Sequence, residues 1–291
     1  MHEIEKVIAA CRSTIDQNRR GVLVTLIRTQ GSTYRRAGAR VVITESGEAF
    51  GAVSGGCLER DLAARIRPWL DDMQPRVITY DASRADDMIF GLGLGCRGVL
   101  ELFVEPFDAA HVPPLVTDFR RNGREPVEWT MRLPDGETLV ELIRPRRALA
   151  IFGSGADVAP VADLARTIGW RIDVIMTRAS VDVSDYDAAV VMTHNFDRDA
   201  DALQLLLRSQ IAYIGLLGPK SRGDELLAEI GATRKPRFHN PVGLDLGSET
   251  PEEIALSVIA EIQAVLNRRS ARALRELNAP IHDPANTPAC A

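Results

Sequence analysis

The chain has 291 residues and a formal charge of -5, from 35 lysines and arginines against 40 aspartates and glutamates, with 45% hydrophobic and 26% charged residues. This composition excludes a disordered or fibrous protein, and at roughly 100 to 200 residues per domain the length suggests two domains, each able to bury a core. A pI near 5.6 argues against nucleic acid as a partner, because binders of the phosphate backbone usually carry a basic domain with a pI above about 9.

No run reaches the roughly 18 apolar residues that cross a bilayer, and the opening MHEIEKVIAACRS lacks a basic region followed by an apolar core. The expectation is a cytoplasmic protein with no membrane partner. Cys11, Cys57, Cys96 and Cys290 have none of the close spacing of a disulfide framework or a zinc ribbon.

Ile4, Val7, Ile8, Cys11 and Ile15 recur at helical spacing and predict an amphipathic first helix with Cys11 in the core. Strand-like runs follow at 21–29, 40–46, 48–55 and 75–81, with a helix at 58–72 between the last two, and VLELFVEPF closes this part at Pro106. The reading is a small α/β domain over 1–106. Residues 107–147, with Pro113, Pro114, Pro126, Pro134 and Pro145, suit a connector or small subdomain.

From Ala148 the pattern changes to alternating strands and helices, which implies right-handed βαβ units and a doubly wound, Rossmann-like parallel sheet over 148–272. Its last helix should start at Thr250-Pro251-Glu252-Glu253, where Thr250 caps, Pro251 takes the first helical position and Glu253 completes a capping box. The segment 273–291 reads as a mobile tail.

Three glycine-bearing turns carry candidate chemistry. Gly153-Ser154-Gly155 joins a strand to a helix, where glycines permit a tight turn and backbone amides can approach a pyrophosphate. The third glycine of a dinucleotide fingerprint is replaced by Val158, and the strand end that should offer an acid to a ribose offers Met176 and Thr177. NAD(P) is therefore the weaker ligand reading. On the same sheet edge, Lys220 and Arg222 follow Gly215 and Gly218 as a second anion site, and His194 ends a strand where it can hydrogen-bond a ligand.

In the first domain, Ser32, Arg35, Arg36 and Arg40 frame a loop whose guanidinium groups suit phosphate. Ser54-Gly55-Gly56-Cys57-Leu58-Glu59 runs from a strand into a helix and places Cys57 at a helix N-terminus, which favours the thiolate. Glu59 in that first turn reads as an acid or base, or as a partner of the helix dipole. Cys96 follows Gly95 in a glycine-rich run beside Arg97. Thiolates so placed suit a soft metal, sulfur transfer or a pterin dithiolene. Zinc fits poorly, and there is no G-x-S-x-G elbow, H-E-x-x-H or Walker A loop.

The ordered motifs GSTYRRAGARVVI, GAVSGGCLERDL, GLGLGC, LAIFGSGADVAPVADLARTIGW, VVMTHN, YIGLLGPKSR and NPVGLDLGSETPEEIALSVIAEI resemble the XdhC/CoxI family of molybdenum hydroxylase accessory proteins. The resemblance implies a small N-terminal domain, a Rossmann-like C-terminal domain and a non-catalytic maturation factor. Such a factor binds molybdenum cofactor, as molybdopterin or its cytidine dinucleotide form, guards it during sulfuration and hands it to an apo molybdenum hydroxylase such as xanthine dehydrogenase. The family's SGGC and GLGC motifs fall on Cys57 and Cys96 as the metal-end thiols. A cysteine desulfurase as second partner and a homodimer are further expectations. The alternative is a nucleotide-dependent oxidoreductase or transferase working from Gly153 to Gly155.

Overall fold

The structure, a computed structural model, describes residues 2–31, 33–81, 98–120, 123–176 and 181–278, and of Cys57 the backbone alone. The chain divides into two units, Met1–Pro145 and Arg146–Ala291.

In the first unit α1 (His2–Asp16) turns Ile4, Val7, Ile8 and Cys11 inward, the stripe its helical spacing requires. Strands β1 (Gly21–Gly31), β2 (Arg40–Thr44) and β3 (Ala49–Gly51), helix α2 (Cys57–Asp72), and strands β4 (Arg76–Asp81) and β5 (Gly98–Phe107) follow. They build an antiparallel sheet in the order β3-β2-β1-β5-β4.

Both faces of that sheet are covered, so β1 and β2 read as continuous apolar runs rather than as an alternation. On one face Val22, Val24, Leu26, Val41 and Ile43 pack against Leu58, Leu62 and Ile66 of α2. On the other, Leu23, Val42 and Phe107 meet α1 and the short helix α3 (Pro114–Thr117), and Ile27 and Phe103 meet the hairpin of β6 (Val127–Arg132) and β7 (Thr138–Ile143). The proline-rich segment after Pro106 thus supplies one cover of this sheet.

The second unit contains β8 (Ala148–Phe152), α4 (Val158–Thr167), β9 (Arg171–Ile175), β10 (Ala188–Val191), α5 (Phe196–Arg208), β11 (Tyr213–Leu216), α6 (Lys220–Glu229), β12 (Phe238–His239) and α7 (Pro251–Leu266). Its five strands are parallel, in the order β12-β11-β10-β8-β9. Helices α4 and α7 cover one face and α5 and α6 the other. This is the doubly wound, Rossmann-like sheet that the alternating pattern implied. The chain leaves β8 towards one face and β10 towards the other, so the topological switch point lies between these neighbouring strands, where such folds bind ligands beyond the strand ends.

Helix α7 starts as its sequence dictates. The Thr250 side chain accepts from the Glu253 amide at 3.3 Å, and the Glu253 carboxylate accepts from the Thr250 amide at 3.0 Å. Its buried residues Ala255, Val258, Ile259 and Ile262 pack within the unit. Among the described residues no helix is long and apolar enough to cross a membrane.

Candidate functional site

The turn Ser54-Gly55-Gly56 carries the chain into α2, which Cys57 opens. Glu59, only 7% exposed, holds the turn from inside the helix. Its Oε1 accepts from the Val53 and Ser54 amides at 2.8 and 2.7 Å, and its Oε2 accepts from the Ser54 hydroxyl and, at 3.0 Å, from the Gly56 amide. Burial pushes this carboxyl up, but the Ser54 hydroxyl and the backbone donors outweigh it and hold it below the usual carboxylate value. A carboxylate engaged by four donors has little acceptor capacity left for a substrate proton. The geometry makes Glu59 an ionised strut of the turn at the helix N-terminus.

The two glycines of the turn differ. Gly56 has φ +106°, a conformation that a side chain rarely adopts. Gly55 is exposed, has no left-handed φ, and a Cβ built on it would meet no atom of a described residue within 4 Å. Among the described residues neither packing nor a left-handed φ asks for glycine at position 55. What its small size provides is open access to the backbone at the N-terminus of a helix of 16 residues, where partial positive charge collects. The Cys57 side chain, Ser32, and the glycine run bearing Gly95 and Cys96 lie outside the described residues.

The loop arginines separate. The Arg35 guanidinium donates to Glu3 of α1 at 2.6 Å. Arg40 turns into the fold, where its side chain is 2% exposed and pairs with Glu141.

In the second unit both turn glycines are fixed by close approach. A Cβ at Gly153 would lie 2.6 Å from the Met192 carbonyl oxygen, and one at Gly155 would lie 2.5 Å from Asp157 Oδ1. Beyond the turn, His194 adopts φ +56° and its Nε2 meets Asp157 Oδ2 at 2.7 Å. The histidine therefore ties the end of β10 to the turn after β8.

A cavity of about 230 Å³ opens here, lined by Phe152, Gly153, Ser154, Met176, Thr193 and Arg198 among others. Met176, 61% exposed, occupies the rim after β9 where an acid would hold a ribose. Arg222 donates through Nε and Nη2 to Asp199 at 3.2 and 2.6 Å. Asp199 is 1% exposed and also accepts from the Thr193 hydroxyl at 2.6 Å. Arg222 is thus committed to a buried carboxylate, whereas Lys220 at the start of α6 is exposed. The structure brings Gly153, Gly155 and His194 together on one strand edge.

Sequence reading passed over Asp157 and Asp199, the two carboxylates that organise this edge. Asp157 stands two positions after Gly155, and Asp199 lies in the first turn of α5; a first-turn acid signals a helix start but not a buried partner. Among the described residues no three His, Cys, Asp or Glu side chains gather as a metal site.

Residues 149–262 match the family described as the XdhC Rossmann domain, and residues 14–81 the XdhC and CoxI family. A Bacillus subtilis protein named as a probable xanthine dehydrogenase subunit is 30% identical over 311 aligned positions, covering 85% of this chain and 94% of that protein. An Escherichia coli protein named molybdenum cofactor insertion chaperone PaoD is 28% identical, with 84% of this chain and 83% of that protein covered. A crystal structure described as a xanthine dehydrogenase from Bacillus halodurans has a TM-score of 0.76 at 27% identity and covers 94% of this chain and 98% of that one.

Proposed function

This chain belongs to the XdhC and CoxI family, and from that premise we propose that it carries molybdenum cofactor. It guards the cofactor during sulfuration and delivers it to an apo molybdenum hydroxylase of the xanthine dehydrogenase or aldehyde oxidase type. A relative named as a molybdenum cofactor insertion chaperone supports the role.

Gly55 is the observation that carries the reading. No described residue packs where its side chain would go, and it lies beside a thiol-bearing helix N-terminus. The cofactor is the cargo, and its chemistry fits the groups present. Its phosphate suits the exposed backbone at Gly55, beside the helix N-terminus, and its sulfur-rich metal end suits the thiols of Cys57 and Cys96. A cysteine desulfurase and the apo-hydroxylase are the partners such a carrier serves.

The nucleotide-dependent reading has less support, because Gly153 and Gly155 are already accounted for by Met192 and Asp157 and Met176 stands where a ribose would need an acid. The test is transfer. Protein purified from cells that supply the cofactor is mixed without air with an apo-hydroxylase, and molybdenum movement is followed together with recovered activity. The proposal expects recovery above that given by the same amount of free cofactor; equal recovery contradicts it.

A further inference from the structure

Arg40 is an unusual residue for its place: all five residues of β2 are buried, and the other four are Val41, Val42, Ile43 and Thr44. The register pairs Thr25 with Arg40 on one side and Phe103 on the other, and Leu23 with Glu105. Thr25, Arg40 and Glu105 therefore project from one face of the sheet, the face covered by α1, α3 and the hairpin.

These three side chains line a cavity of about 580 Å³ whose walls include Phe103, Phe119 and Trp129, a volume within the range of roughly 300 to 1,000 Å³ usual for small-molecule sites. Arg40 is held in place, with Nη1 on the Gly38 carbonyl at 2.9 Å and both terminal nitrogens on Glu141. Glu105 is not held: no hydrogen bond from a described residue reaches its carboxyl, which burial pushes up to about 7 against the pull of Arg40. A leucine at position 105 would serve the core better, and the cofactor-carrier reading makes no use of this carboxyl.

The charges limit what can bind. Beside Thr25, a cationic ligand would have to approach a carboxyl already facing the Arg40 guanidinium, and an anionic one would meet the Glu105 carboxylate. A neutral, flat molecule with two adjacent N–H donors satisfies the carboxylate and adds no charge, and aromatic walls favour ring faces.

We propose that this cavity binds a heteroaromatic ring through a donor-donor-acceptor edge, the 2-amino-4-oxopyrimidine edge that guanine and pterin share. Glu105 accepts the ring N–H and the amino group, the Thr25 hydroxyl donates to the carbonyl, and Phe103, Phe119 and Trp129 form the apolar walls. The site is separate from the turn at α2 and does not rest on the carrier reading.

The experiment is calorimetric titration of the full chain with guanosine, with neopterin, and with adenosine, whose edge lacks the paired donors. Binding of guanosine, neopterin or both at one site per chain, without adenosine, supports the site, and the tighter of the two identifies the source of the edge. Glu105→Gln should weaken that binding about tenfold or more, as loss of a charge-assisted pair implies, and Thr25→Val should weaken it less. Wild-type affinity should rise between about pH 5.5 and about pH 7.5 as a carboxyl with a value near 7 ionises. Arg40 on β2, Cys11 on α1, Asp118 and Arg120 beyond α3, and Glu128 and Arg132 on β6 face the same region. The Glu105→Gln protein must lose the pH dependence if Glu105 is its source.

The proposal is overturned if neither ring binds, if adenosine binds equally, or if both variants bind like wild type. Ring binding by a chain that never carries cofactor would leave this site standing and remove the carrier reading. A chain that carries cofactor but binds neither ring would do the reverse.

Discussion

Replacing Glu59 with glutamine tests how the turn at α2 is built. The carboxylate accepts from the Val53 and Ser54 amides, the Ser54 hydroxyl and the Gly56 amide. Glutamine keeps the shape but puts an amino group where one acceptor oxygen stood, so at least one buried donor faces another donor. Each such orphan costs about 1 to 3 kcal/mol, and the surviving bonds lose their charge assistance. The first unit should lose about 2 to 4 kcal/mol at pH 7, a large part of the roughly 5 to 15 kcal/mol typical of a domain.

The pH dependence fixes the cause. Because the folded carboxyl lies below its unfolded value, its contribution is complete above the unfolded value and fades as pH falls through the folded one. The gap between wild type and Glu59→Gln must therefore narrow in acid. Urea unfolding followed by tryptophan fluorescence, with Trp69 and Trp129 in this unit, measures it. A change under about 0.5 kcal/mol at pH 7, the size of an ordinary surface substitution, or a gap that widens in acid, would refute the strut.

Gly55→Ala should alter thermal stability by less than about 0.5 kcal/mol, whereas Gly153→Ala drives a Cβ to 2.6 Å from a backbone oxygen and should cost about 1 to 3 kcal/mol. Arg222→Ala strands the buried Asp199 and should destabilise the second unit by about 3 kcal/mol, while Lys220→Ala changes little; paired urea titrations compare them. Glu105→Gln should gain stability in base. The unfolded carboxyl ionises from its ordinary value of 4.5 but the folded one only near 7, so the native state holds the extra proton between them and wild-type stability falls as pH rises through that window. The variant's gain reaches at most about 3 kcal/mol at pH 8 and vanishes near pH 4, and a pH series of melting curves reads it.

Strongly periodic segments were legible in the sequence. The strand-helix alternation from Ala148 foretold the parallel sheet, and Thr250 with Glu253 foretold the start of α7 because a capping box is wholly local. Segments with weaker local signals were less legible. The hairpin β6–β7 sits among prolines and charges and is held by packing on Ile27 and Phe103, a non-local cause. Helix α5 begins at Phe196, ahead of the apolar run Leu203 to Leu207, because Asn195 caps it and its side chain accepts from the Arg198 amide.

At the site, the glycine motifs stood out, but which glycines packing demands could be seen only in three dimensions. Met192 explains Gly153, and nothing in the described structure explains Gly55. Arg40 read as a loop cation because its partner Glu141 lies 101 positions away. Glu105 stayed hidden because one acid in VLELFVEPF looks like an outward residue of an alternating strand, and at the centre of this sheet both faces are covered.

Cofactor carriage is the central claim, and it is measured most directly as molybdenum and pterin per chain after purification without air from cells that supply the cofactor. Wild type should hold close to one of each. Gly55→Ala and Cys57→Ala, folded as judged by their melting curves, should hold little. An empty wild-type chain, or a full load on Gly55→Ala, would contradict the account.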